Sequence, residues 1–121
     1  MATLSTTLTL SSTTATSDAL SISLATSLNI TNPVQGLSRE SVLHTESTIL
    51  FTAADQTTDQ YVYLKNTDST NKITFKTHAG HPFAVLDAGE SMIFCLPSGV
   101  GINGQAAVAT CVLEYATFTK E

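Results

Sequence analysis

Tyr61-Val62-Tyr63-Leu64-Lys65-Asn66-Thr67-Asp68-Ser69-Thr70-Asn71-Lys72-Ile73-Thr74-Phe75-Lys76-Thr77 is the stretch that decides the fold class. Val62 and Leu64 fall on one side of an extended chain with Tyr61 and Tyr63 on the other, and Ile73 and Phe75 alternate with Thr74 and Lys76. A period of two marks strands with one face on a core, because successive Cβ atoms point to opposite sides of a sheet. The intervening Asn, Asp, Ser and Thr hydrogen-bond to their own backbone and favour turns.

The same grammar extends in both directions. Further strands are expected at Ser41 to His44, Thr48 to Thr52, Pro82 to Leu86, Ser91 to Leu96 and Ala107 to Phe118, with turn signals such as Asp87-Ala88-Gly89-Glu90 and Pro97-Ser98-Gly99 between them. No amphipathic helix is evident. Many short strands separated by turns predict an all-β fold, an antiparallel sandwich or barrel, and the form expected over residues 33–121 is an antiparallel β-sandwich, jelly-roll-like. In Met92-Ile93-Phe94-Cys95-Leu96 both faces are apolar. That strand is therefore either covered on both sides or presents one side to another subunit. Folding it back on Ala107 to Phe118 around Gly99-Val100-Gly101-Ile102-Asn103-Gly104 sets Cys95 opposite Cys111 and Ile93 opposite Leu113. The glycines of that loop are expected to serve turn conformations.

Residues 1–32 have a different character. From Thr3 to Thr31 there is no basic residue and one acidic residue, Asp18. Leu8 and Leu10, then Leu20, Ile22 and Leu24, then Leu28 and Ile30 alternate with small polar residues, which predicts extended structure with one apolar face. Ser11 to Asp18 reads as a loop, and Asn32-Pro33 with Gly36 marks the boundary. The expectation is an extended, Ser/Thr-rich N-terminal arm or strands, ordered against the body or a neighbour.

Composition narrows the function classes. Of the 121 residues, 34 are Ser or Thr, and only 12% are charged, so neutral hydroxyls do the solvating that charges usually do. A charge-poor surface is easiest to understand when neighbours cover much of it. The net charge of −5, with five scattered basic residues, argues against a nucleic-acid partner. No stretch approaches the roughly 20 apolar residues of a membrane span, so no membrane partner is expected, and synthesis in the cytoplasm is.

No constellation of catalytic residues stands out. His78-Ala79-Gly80-His81 has HxxH spacing, but Gly80 and Pro82 place it in a turn, where helical metal-ligand geometry does not apply. There is no GxSxG elbow, and Cys95 and Cys111 sit in apolar strands where a thiolate is poorly stabilised. The expected register makes a cross-strand disulfide between them geometrically conceivable, but reduced thiols are the expected state of a protein made in the cytosol. No catalytic residue, metal site or cofactor is expected.

Two passages carry a resemblance: Tyr61-Val62-Tyr63-Leu64-Lys65-Asn66-Thr67-Asp68, and Leu86-Asp87-Ala88-Gly89-Glu90-Ser91-Met92-Ile93-Phe94-Cys95-Leu96-Pro97, followed by Ala106-Ala107-Val108-Ala109 and Val112-Leu113-Glu114-Tyr115. They resemble small β-sandwich virion proteins of tailed bacteriophages, including cyanobacterial and marine phages, in which an L-x-x-G-E turn leads into an apolar strand ending at Pro. The resemblance implies a virion location and a capsid decoration (cement) protein, or else a neck, tail or fibre-base component. The implied partners are the major capsid protein or other virion proteins, with a homo-oligomer, trimer or dimer, expected. A carbohydrate-binding attachment module using Tyr61 and Tyr63 is the alternative from another class. The candidate interface residues are Leu8, Leu10, Leu20, Ile22, Leu24, Tyr61, Tyr63, Met92 and Phe94.

Overall fold

Ten strands form three antiparallel sheets in the computed structural model, which describes residues 2–15, 17–31 and 36–121. The chain divides into two units, Met1–Asn32 with Lys120–Glu121, and Pro33–Thr119.

The first unit is a hairpin of β1 (Ala2–Ser12) and β2 (Leu20–Ile30), eleven residues each, paired from Ala2↔Ile30 to Ser12↔Leu20. The second and third apolar runs of the sequence are thus one continuous strand. Ser12 starts the connecting loop, its Oγ accepting the backbone N–H of Thr14 at 3.2 Å and of Ala15 at 2.9 Å. Beyond its other end Ile30 bridges Lys120, and the Glu121 N–H donates to the Asn29 carbonyl at 3.3 Å.

The second unit is the antiparallel β-sandwich that the alternation calls for. Its strands are β3 (Ser38–Val42), β4 (Thr48–Phe51), β5 (Gln60–Asn66), β6 (Ile73–Thr77), β7 (Pro82–Leu86), β8 (Ser91–Leu96), β9 (Ile102–Ala106) and β10 (Cys111–Thr119). A 3₁₀ turn, Ala53–Asp55, capped by Thr52, follows β4. One sheet has the order β3-β10-β5-β8 and the other β4-β9-β6-β7. The pairs β3/β10, β4/β9, β5/β8 and β6/β7 are nested like one long hairpin with β6–β7 at its tip. Rolling that hairpin up adds β5/β10 and β6/β9, which become the central pairs of the two sheets.

Both sheets contribute to one core. Val42, Val62, Leu64 and Leu113 from the first face Ile73, Phe75 and Ile102 from the second, and all seven are fully buried. Gly104 sits between the layers: a Cβ there would lie 3.3 Å from Leu50 Cδ1 and 3.5 Å from Val42 Cγ1. At Gly101 a Cβ would meet the Phe51 carbonyl oxygen at 2.6 Å. These two glycines permit close approach and have no positive φ, contrary to the expectation of turn glycines. The stretch from 102 to 106 is itself a strand, β9, where the sequence reading expected a loop.

That missing strand also overturns the expected cysteine register. Because β9 carries the chain across to the opposite sheet, β8 and β10 are not neighbours; each pairs with a different edge of β5. Cys95 lies opposite Tyr61 and is exposed, while Cys111 lies opposite Val42 and is buried, and both are free thiols. Burial, then the nearby Asp68 charge, holds the Cys111 thiol above its usual pKa. Exposure of Cys95 also corrects the expectation that both thiols are enclosed in apolar strands.

The connections follow from named hydrogen bonds. Asn66, fully buried at the end of β5, donates its Nδ2 to the carbonyls of Asn71 (2.8 Å) and Leu86 (3.1 Å), and its Oδ1 accepts the Asp68 N–H at 3.0 Å. Its own N–H and C=O bond Glu90 and Gly89, so one side chain and its backbone tie the β5–β6 turn to the β7–β8 turn. The L-x-x-G-E passage is that second turn, with Gly89 at φ +80° and Glu90 Oε1 accepting the Asp87 N–H at 2.8 Å.

Candidate functional site

The hairpin's large apolar residues all fall on one face. On one side stand Ala2, Leu4, Thr6, Leu8, Leu10 and Ser12, opposite Ile30, Leu28, Thr26, Leu24, Ile22 and Leu20. On the other stand Thr3, Ser5, Thr7, Thr9 and Ser11, opposite Asn29, Ser27, Ala25, Ser23 and Ser21. Every Leu and Ile of the hairpin is on the first side. Leu8 faces Leu24 and Leu10 faces Ile22, four side chains in a square that remain 52%, 56%, 46% and 38% exposed respectively. Leu20, at the end of the same row, is half-buried. Five of the nine candidate interface residues are therefore brought together on one apolar face.

The other four divide. Tyr61 and Tyr63 lie on the outer face of the β3-β10-β5-β8 sheet, next to Cys95 and Ile93 of β8 and to Phe118 and Ala116 of β10. The Tyr63 hydroxyl donates to Glu114 Oε1 at 3.2 Å, and Arg39 pairs with the other carboxylate oxygen at 3.4 Å. Burial and then Glu114 hold the Tyr63 phenol above its usual pKa. Met92 and Phe94 turn the other way and pack against the core. On this edge strand the residues facing outward are Ile93 and Cys95, so the apolar outer surface sits one residue out of step with the one expected.

Clefts open on the sandwich. An apolar groove of about 310 Å³ runs along the β7 and β8 edges, floored by Phe83, Phe94, Leu96, Val100 and Ile102, with the Phe83 and Phe94 rings edge to face at 5.7 Å. A larger polar cleft of about 500 Å³ lies between β4 and the C-terminal half of β10, lined by Thr52, Asp55, Gln56, Gln60, Thr117 and Thr119 beside the Phe51–Tyr115 ring pair. Four of its polar side chains are engaged in pairs, Thr52 with Asp55 and Thr119 with Gln60.

The turn histidine has a structural task. His78 Nδ1 accepts the Gly101 N–H at 3.0 Å while the His78 backbone N–H donates to the Gly101 carbonyl at 2.9 Å, pinning the β6–β7 turn to the start of β9. Among the described residues no group of three His, Cys, Asp or Glu side chains is placed to hold a metal ion. Nor is any helix there long and apolar enough to cross a membrane. Compared with known proteins, the chain matches no family model, no curated protein and no solved structure.

Proposed function

We propose that the protein is a structural subunit of a tailed-phage particle, a capsid decoration protein that adds interface area to the shell and turns over no substrate. The observation that carries the reading is the hairpin: twenty-two strand residues with one apolar and one hydroxyl face, and Asp18 as the single charge between Thr3 and Thr31. A two-stranded sheet is marginal alone and gains stability from a third strand or an opposing layer. Long strands also offer free edges to a neighbour's sheet, the main-chain route by which arms clamp assemblies.

The strand order of the body supports the same reading. We take the nested, rolled pairing as a jelly roll, an architecture used by viral capsid and lectin domains among others. The resemblance of the β5 and β7–β8 passages to phage virion proteins points the same way.

Native particles labelled at this protein and imaged by cryo-electron microscopy test the proposal. Hundreds of copies on the head surface support decoration. About a dozen copies at a vertex or along the tail assign the protein to a neck, tail or fibre-base position, and absence from the particle defeats the reading.

A further inference from the structure

The exposed part of the hairpin's apolar face calls for a partner of particular chemistry, and this chain itself supplies it. We propose that two copies of the protein associate face to face through Leu8, Leu10, Ile22 and Leu24. The inference rests on reading the hairpin as an assembly device but not on a virion location.

Charge is the first argument. The protein is acidic, with ten carboxylates against five cations, so two copies repel wherever those charges meet. Of the ten, Asp18 lies in the hairpin's connecting loop and Glu121 is held at the far end of β2 beside Asn29, and both stand outside the leucine square. The hairpin face is thus a surface on which like copies approach without repulsion. A partner must be equally free of charge, because a Lys or Glu laid on this square would be desolvated with no counter-charge to meet it.

Shape and area are the second. Leu8↔Leu24 and Leu10↔Ile22 are directly opposed pairs, so the square is nearly symmetric and meets its own copy across a twofold axis, the self-complementary contact of the commonest oligomers. Two such sheets stack about 10 Å apart with side chains interdigitated. From the exposures of these four residues and of their half-buried neighbours Leu4, Thr6, Leu20 and Leu28, the pair buries on the order of 1,000 Å² in all, at the lower bound for a biological interface. The dimer is accordingly reversible and concentration-dependent.

Sedimentation equilibrium on the full chain, from low to high micromolar, reads the result. The mass is expected to rise from 12.8 kDa to twice that value. Leu8→Lys with Leu24→Lys is expected to hold it at the monomer. Thr7→Lys with Ala25→Lys sets the same two lysines directly opposite each other on the other face, and is expected to leave dimerisation within about twofold of the original. A wild-type chain that stays monomeric overturns the proposal, as does equal dimerisation by both variants or equal loss in both. A mixture of isotope-labelled and unlabelled wild-type chains gives an independent reading that needs no variant. Intermolecular NOEs among the methyls of Leu8, Leu10, Ile22 and Leu24 are expected, and a dimer without them contradicts the assigned face. A chain that is monomeric alone but has this face protected on a particle would assign it to a shell subunit and overturn the proposal. A dimer that never enters particles would leave the inference standing and defeat the decoration reading.

Discussion

The hairpin and the sandwich are written in the same alternating code and end in opposite states. In β5 the inward positions Val62 and Leu64 are fully buried, while in β1 the equivalent positions Leu8 and Leu10 stand half exposed. The difference is the opposing layer: β6, β9 and their neighbours cover β5, and among the described residues of the hairpin's own unit no second sheet covers β1 and β2. Alternation therefore prescribes a strand and which face seeks cover, and leaves open whether cover comes from the same chain.

Truncating an apolar residue in each region is the sharpest way to break that contrast. Phe75→Ala removes a fully buried ring and is expected to lower the stability of the sandwich by about 3–5 kcal/mol in urea denaturation. Leu24→Ala is expected to move the sandwich transition by less than about 0.5 kcal/mol. A Leu24 effect on the sandwich comparable to that of Phe75 would mean that the two regions unfold as one.

A second contrast is between polar groups. Serines and threonines on the hairpin's hydroxyl face meet solvent, whereas Asn66 holds three bonds inside the sandwich. Asn66→Ala is expected to cost about 2–3 kcal/mol by leaving buried groups unpaired. Asn66→Asp, with the same shape but without the Nδ2 donors, is expected not to restore the loss; full stability in the Asp variant would remove the donor argument.

The smallest effect concerns pH. Asp68 Oδ2 accepts the N–H groups of Asn71 (2.6 Å) and Thr70 (2.9 Å), and these bonds hold its carboxyl below the ordinary value of 3.8. Because the folded value is the lower one, this support for the β5–β6 turn is present above the unfolded pKa and is lost as pH falls through the folded one. In an NMR titration the Thr70 and Asn71 amides should move together with a midpoint below 3.8, while hairpin amides such as those of Thr7 and Ser23 should not follow that transition. A midpoint at or above 3.8 would contradict the turn geometry.

These contrasts also explain what the residues disclose by themselves. The strands around Val62–Leu64 and Ile73–Phe75, and the apolar row of the hairpin, are local properties and legible as alternation. Partner choice is not local. The Cys95–Cys111 register fails because β9 is hidden: Gly104, which breaks an apolar pattern, lies between the layers, where a Cβ would press on Leu50 at 3.3 Å and touch Val42 at 3.5 Å. The outward face of β8 is not legible because its pattern is apolar on both sides, and only pairing with β5 decides that Phe94 points in and Ile93 out. Likewise, nothing in a turn containing His78 signals a bond to Gly101, twenty-three residues away.

Amide hydrogen exchange on the full chain, measured at several protein concentrations, tests the central claim that the hairpin is completed from outside its own chain. Protection of the β1 and β2 amides should rise with concentration, as mass action on a covered face requires, while that of sandwich amides such as Leu64 stays constant. Hairpin protection that is strong and independent of concentration would contradict the account.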